Sequence, residues 1–115
     1  MTIATDRRLR VSEVFASIQG EGASLGTPSV FVRLQGCAVG CAWCDTKYSW
    51  PAAGGRATAT PALLDQVRRF GLDNVVITGG EPLEHPAFVP LAGGLKRLGR
   101  RVEVETAGTR VPPEV

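Results

Sequence analysis

Three cysteines within eight consecutive positions, Cys37-x3-Cys41-x2-Cys44, are the residues of this sequence best placed to do chemistry, and they are its only thiols. Thiolates so close in the chain cannot spread apart, so they converge on one small object. A [4Fe–4S] cube has four irons, and three cysteine ligands leave its fourth iron open to a small chelating cofactor. Gly36 and Gly40 each precede a cysteine and let the backbone curl tightly around such a cluster. Zinc is the alternative: a closed structural zinc site wants four ligands, usually as two close pairs. No second pair exists here, and the fourth ligand would have to be the single histidine, His85, far along the chain. None of the three cysteines sits in an apolar periodic stripe, which speaks against a purely structural role. An odd number packed into one short stretch also makes a poor disulfide framework and points to metal or redox chemistry in a reducing compartment.

These residues need a scaffold. Val30, Val32 and Leu34 alternate with Phe31, Arg33 and Gln35, a period of two that predicts a strand over Val30 to Gln35. A weaker strand is expected from Leu9 to Phe15, followed by the glycine-rich Gln19-Gly20-Glu21-Gly22. After Gly36 comes a loop carrying the cysteines and several aromatic residues, which runs into the turn-rich Pro51-Ala52-Ala53-Gly54-Gly55. A helix should then start with Thr60 capping its first amides, Pro61 at its first position and Gly71 closing it. Leu63, Leu64, Val67 and Phe70 would form its buried stripe. Asn74 to Ile77 reads as a short strand broken by Thr78-Gly79-Gly80. A second helix is expected over Pro86 to Leu98, with Phe88, Leu91, Leu95 and Leu98 on one face. Gly93 and Gly94 work against it, each by about 1 kcal/mol relative to alanine. Arg101 to Glu105 closes the series as another strand. Strands alternating with helices predict an α/β fold, a parallel sheet with right-handed crossovers.

Composition narrows the class. With 115 residues, 43% hydrophobic and 21% charged, the chain suits one modest folded domain, 1–115, and not a disordered segment. Thirteen Lys+Arg against eleven Asp+Glu leave +2, too small and scattered a charge to make nucleic acid or anionic lipid the main partner. No apolar run approaches the roughly 18 residues of a membrane span. The charged amino terminus has no apolar stretch after it, as a secretory signal would, so a cytoplasmic location is expected.

With the cysteine loop in view, the chain resembles the radical S-adenosylmethionine superfamily, whose Cys-x3-Cys-x2-Cys carries an aromatic residue before the last cysteine, here Trp43. A Gly-Gly-Glu-Pro turn after the next strand is the second shared feature, present as Gly79-Gly80-Glu81-Pro82. Two glycines expose backbone carbonyls to a ligand, and Glu81 can attract a ligand ammonium at a strand's carboxyl end. The likeness narrows through Glu13-Val14-Phe15, Ile18-Gln19-Gly20-Glu21-Gly22, Val30-Phe31-Val32-Arg33-Leu34, Cys44-Asp45-Thr46, Thr78-Gly79-Gly80-Glu81-Pro82 and Glu105-Thr106-Ala107-Gly108. Together these are similar to the 7-carboxy-7-deazaguanine synthase family over nearly the whole chain.

That resemblance implies a partial (β/α) barrel, incomplete at its carboxyl end, because family members are considerably longer. It implies that Cys37, Cys41 and Cys44 hold a [4Fe–4S] cluster and that Trp43, Asp45, Gly79, Gly80 and Glu81 lie against S-adenosylmethionine. Ile18, Gln19, Gly20, Arg33 and Thr78 would contact a pterin substrate, Arg33 through its carboxylate, a role suited to a bidentate fork. Read by itself, Arg33 could equally be an exposed strand arginine. Thr46 would be a hydroxyl ligand to Mg²⁺, a hard ion that keeps several waters. The implied reaction is radical conversion of 6-carboxy-5,6,7,8-tetrahydropterin to 7-carboxy-7-deazaguanine with loss of ammonia, toward queuosine-type 7-deazapurines. An electron donor such as flavodoxin or ferredoxin would feed the cluster, and the family pattern allows a homodimer. The family's Glu-Thr-Asn-Gly has Ala107 in the asparagine position, removing an amide there. Two other readings stay open: a different radical enzyme of the superfamily, an activase or peptide-modifying enzyme, and an inactive fragment or non-catalytic metal-binding module.

Overall fold

The computed structural model describes residues 8–35, 56–85 and 87–108. Among the described residues five strands are interleaved with two helices: β1 (Arg8–Ile18), β2 (Pro28–Leu34), β3 (Arg56–Ala59), α1 (Thr60–Arg69), β4 (Asn74–Gly79), α2 (Phe88–Arg97) and β5 (Arg101–Val104). A short 3-10 turn, Pro82–Glu84, links β4 to α2. The strands form one sheet in the order β3-β1-β2-β4-β5.

The expected α/β class and parallel pairing hold for β2, β4 and β5. The sheet as a whole is mixed, because β1 runs antiparallel to both of its neighbours. The short connection from β1 to β2 permits only a hairpin, whereas each parallel pair needs a helical crossover. Strand β3 was not expected from the sequence. Arg56-Ala57-Thr58-Ala59 has no apolar alternation of its own and becomes a strand by pairing along Arg8 to Val11 of β1.

Alternation in β2 divides the sheet into two faces. Val30, Val32 and Leu34 are fully buried with Val75 and Ile77 of β4 against Leu63 and Val67 of α1 and Phe88, Leu91 and Leu95 of α2. A register shift between Val11 and Glu13 adapts β1 to this division. In a regular strand Val11 and Glu13, two residues apart, would point the same way; the irregularity at Ser12 lets Val11 join the core while Glu13 takes the opposite face.

Helix α1 departs from expectation at its start. Ala59 occupies the cap position with no side-chain cap bond, and buried Thr60 is already inside the first turn. Gly71 ends the helix at φ +69, as the left-handed closure requires. Both apolar stripes are shorter than expected: Phe70 and Leu98, at the helix ends, are 41% and 37% exposed. Helix α2 also begins at Phe88, not Pro86, and stops at Arg97. One of its glycines has a packing reason, since a Cβ on Gly94 would lie 2.7 Å from Leu64 Cδ1. Close approach of the two helices offsets the helix-propensity cost. No described helix is long and apolar enough to cross a membrane.

Candidate active site

The face of the sheet turned away from the helices carries the polar side chains, and the strand register sets them in rows. Glu13, Arg33 and Thr78 lie side by side across β1, β2 and β4, near the carboxyl ends of the parallel strands. Phe15, Phe31 and Val76 form the next row, and Val76 is in register with Glu103 of β5. Ser17, Ser29 and Asn74 form the third. An apolar, aromatic floor is thus bordered by polar groups at both ends.

Arg33 is held over that floor. Its Nε donates to Glu13 Oε1 at 3.0 Å, and the guanidinium carbon lies 5.7 Å from the centre of the Phe15 ring. Phe15 stacks on Phe31 with centroids 5.2 Å apart and ring planes within 9°. The Arg33 side chain is 16% exposed, so it is oriented by its neighbours while its fork can still meet a ligand.

Two carboxylates face the same space, and sequence reasoning assigned neither a role. Val102-Glu103-Val104-Glu105 alternates, which puts both acids on the face opposite the valines; that period was the available signal. Thr78 Oγ1 donates to Glu105 Oε1 at 2.8 Å. Gln19 Nε2 sits 3.5 Å from Glu105 Oε2 and from Glu103 Oε1, at the outer limit of hydrogen bonding. Asn74, buried, donates from Nδ2 to Ser29 Oγ at 2.8 Å and to Glu103 Oε1 at 3.1 Å. Burial pushes the Glu103 carboxyl upward in pKa, but the Asn74 bond, the polar groups of Ser24 and Gln19 nearby and the Arg101 charge outweigh it and hold the group below its usual range.

Gln19 reaches this cluster because its backbone closes the β1–β2 hairpin, donating to Thr27 O at 3.0 Å and accepting from Gly26 N at 2.7 Å. Of the residues expected to meet substrate, Gln19 and Thr78 therefore converge on Glu105, and Arg33 shares their face. Ile18 and Gly20, on either side of Gln19, are exposed.

At the carboxyl ends of β2 and β4 the glycine turn packs onto the other strand. Gly79 adopts φ +108, and a Cβ there would fall 2.2 Å from Leu34 O and 2.4 Å from Leu34 N. Gly80 N donates to Leu34 O at 2.9 Å. Segment 36–55, which contains Cys37, Cys41, Trp43, Cys44, Asp45 and Thr46, lies outside the described residues, but its two ends are fixed. Gln35 N donates to Arg10 O at 2.7 Å, and Arg56 pairs with the next residue, Val11. The Gln35 amide oxygen accepts from Ser12 Oγ. The cysteine segment thus leaves and rejoins the sheet at adjacent residues of β1, beside the Gly79–Gly80 turn, at the strand ends where α/β folds bind ligands.

His85 stands at the same corner. Burial lowers its pKa, opposed by a hydrogen bond to the Gln35 backbone and by the charges of Glu84 and Glu81. Glu81 itself is fully buried. Its Oε2 accepts from Leu83 N at 3.0 Å and Thr106 Oγ1 at 2.6 Å, and its Oε1 accepts from Ala107 N at 2.7 Å. Where the resemblance gives Glu81 to a ligand ammonium, the carboxylate is met here by three protein donors. Among the described residues no group of three or more His, Cys, Asp or Glu could hold a metal ion. The zinc alternative through His85 depends on cysteines outside the described residues.

Comparison with known proteins adds lineage to this geometry. The Radical SAM superfamily profile matches residues 31–115. The chain is 49% identical over 114 residues to a 7-carboxy-7-deazaguanine synthase of Hyperthermus butylicus, covering 97% of this chain and 48% of that protein. Proteins of the same name from Pyrobaculum aerophilum and Escherichia coli K12 are 46% and 40% identical, the chain spanning 50% and 53% of them. The crystal structure of QueE from Escherichia coli superposes with a TM-score of 0.79 at 38% identity, over 90% of this chain and 54% of that one. The chain spans about half the length of the curated relatives it matches. The half-barrel expected from the sequence is the fold observed.

Proposed function

The chain belongs to the radical SAM superfamily, and on that premise we propose that it performs the chemistry of its 7-carboxy-7-deazaguanine synthase relatives. The substrate would be 6-carboxy-5,6,7,8-tetrahydropterin, and the products 7-carboxy-7-deazaguanine and ammonia, within queuosine-type 7-deazapurine synthesis.

One observation carries this reading: Arg33, the Phe15–Phe31 stack and Glu105 share one face of the sheet. A carboxylated pterin needs a cation for its carboxylate, a flat apolar surface for its ring, and an acceptor for its N–H edge. Arg33 offers a two-pronged donor, already turned toward the floor by Glu13. Glu105 offers an acceptor pair, with Gln19 beside it to present both an amide donor and an amide acceptor. Thr78, bonded to Glu105, keeps that carboxylate aimed across the floor. Ile18 and Gly20 would border the ring on the hairpin side.

The residues fit the cofactors the family uses. Three thiolates within eight positions can bind three irons of a [4Fe–4S] cluster, and the segment bearing them is closed at its base next to the Gly79–Gly80 carbonyls. Cys37, Cys41 and Cys44 would hold the cluster, and Trp43, Asp45, Gly79 and Gly80 would border S-adenosylmethionine. When bound, that pair supplies one-electron reductive cleavage and a carbon-centred radical. The chain's own task is to fix the pterin's face toward it and keep water out. Thr46 would lend a hydroxyl to a Mg²⁺ ion that orients the substrate carboxylate. A flavodoxin- or ferredoxin-like donor in the cytoplasm would supply the electron, and a homodimer would be the working assembly.

The test is anaerobic reconstitution with iron and sulfide, then incubation with reductant, S-adenosylmethionine, Mg²⁺ and the carboxytetrahydropterin. Ammonia and 7-carboxy-7-deazaguanine are expected. Cofactor cleavage without that product would instead indicate another reaction of the superfamily. Zinc with no iron, and no iron–sulfur absorbance, would leave only a metal-binding module.

A further inference from the structure

Glu81 is the one fully buried acid among the described residues, and two of the three donors to its carboxylate come from a distant part of the chain. Leu83 N belongs to the 3-10 turn after β4; Thr106 Oγ1 and Ala107 N belong to the segment after β5. We propose that Glu81 is a positioning residue: it latches the segment carrying Glu105 onto the glycine turn and does not itself neutralise a ligand's ammonium group.

The hydrogen bonds make the latch one-sided. The glycine turn is held independently, by Gly80 N on Leu34 O and by the seating of Gly79 on the Leu34 backbone. Glu105 N is tied to Ile77 O, but beyond it the bonds of Thr106 and Ala107 run to Glu81, and Gly108 N reaches only Thr106 Oγ1. Removing the Glu81 carboxylate should therefore free 106–108, and with them the aim of Glu105, while Gly79 and Gly80 stay in place. A carboxylate already accepting three charge-assisted bonds from part-buried donors would have to give some of them up to meet an ammonium ion.

The first measurement needs no cofactor. Amide hydrogen exchange on the full chain, by NMR, should show Leu83 and Ala107 protected in the natural protein. Both should exchange at least tenfold faster in Glu81→Gln, while Leu91, bonded to Ala87 within α2, is unchanged. If Glu81→Gln fails to fold, Thr106→Val, which removes one donor only, should still speed Ala107 and Gly108. Unchanged exchange in these variants overturns the latch.

The second measurement rests on the function proposed above. In reconstituted Glu81→Gln with unaltered iron content, affinity for 6-carboxytetrahydropterin should fall at least fivefold while that for S-adenosylmethionine shifts less than twofold. The reverse split, with cofactor affinity lost and pterin affinity kept, assigns Glu81 to the ammonium and overturns the proposal. Altered exchange in a chain that never takes up iron would leave the latch standing and remove the enzymatic reading alone.

Discussion

Gly79 and Leu34 touch through their backbones: a Cβ built on Gly79 would lie 2.2 Å from the Leu34 carbonyl oxygen. The contact joins the ends of two parallel strands at the point where the cysteine segment departs.

Gly79→Ala should accordingly be the most damaging of the single-methyl additions. Alanine at φ +108 is strained, and its methyl meets backbone that cannot swing aside. About 3 kcal/mol or more of stability should be lost, a sum of left-handed strain and overpacking. Gly94→Ala is the control, because the methyl there meets the end of the Leu64 side chain and helix propensity improves by about 1 kcal/mol. Denaturant melts of the two variants should separate clearly. Equal midpoints would mean that the strand ends are not locked together.

Arg33 presents the opposite case, a residue whose loss should hardly affect folding. Its ion pair with Glu13 is to a partner 43% exposed, and such pairs contribute ~1 kcal/mol at most. Arg33→Met, which keeps the stem over Phe15, should therefore cost no more than about 2 kcal/mol with the cation–π contact included. Binding of a 6-carboxypterin should fall tenfold or more, whereas an unsubstituted pterin should bind as before. Fluorescence titration with both ligands reads the ratio. A variant that still prefers the carboxylated ring would remove Arg33 from the site.

The legible parts of this molecule were those with a local cause. Alternation from Val30 to Leu34 announced a strand and its two faces, which sets Arg33 opposite Val30, Val32 and Leu34. The close set of cysteines and the paired glycines, Gly79 and Gly80, pointed to the ligand end of the sheet. The direction of β1 was not legible, because a period of two is the same whichever way a neighbour runs. Nor was β3, whose Arg56-Ala57-Thr58-Ala59 is a strand only through β1. The partners of Glu81 were not legible for the same reason: Thr106 and Ala107 lie well along the chain, beyond α2 and β5. The Val102–Glu105 alternation was visible, but the convergence of Gln19 and Thr78 on Glu105 needs three separate elements assembled at once.

His85 offers a titration free of assignment problems, because the chain has only one histidine. Burial, the dominant influence, should bring its midpoint below the ordinary 6.5 even though the Gln35 bond and nearby acids oppose it. The folded state then binds fewer protons than the unfolded one. The stability linked to His85 is complete above pH 6.5 and is lost as pH falls through the lower folded midpoint. Proton NMR of the ring gives that midpoint directly. His85→Gln should flatten this stretch of the stability curve, and a ring that titrates above 6.5 would reverse the assigned sign.

Glu103 governs a more acidic range through a different balance. Burial favours its neutral form, yet Asn74, Ser24, Gln19 and Arg101 together hold it ionised below its ordinary 4.5. Its contribution is present above 4.5 and disappears as pH drops through the lower folded value. Asn74→Ala removes a buried donor that serves both Ser29 and Glu103, at an expected cost of about 2 kcal/mol near neutrality. It should also move the midpoint of acid unfolding to higher pH, since burial of Glu103 is then less well opposed. In a Glu103→Gln background that second effect should vanish while the neutral-pH cost remains in part, the non-additivity of a directly bonded pair. An acid midpoint that Asn74→Ala leaves in place in the natural background would show that Glu103 does not sense Asn74 at all.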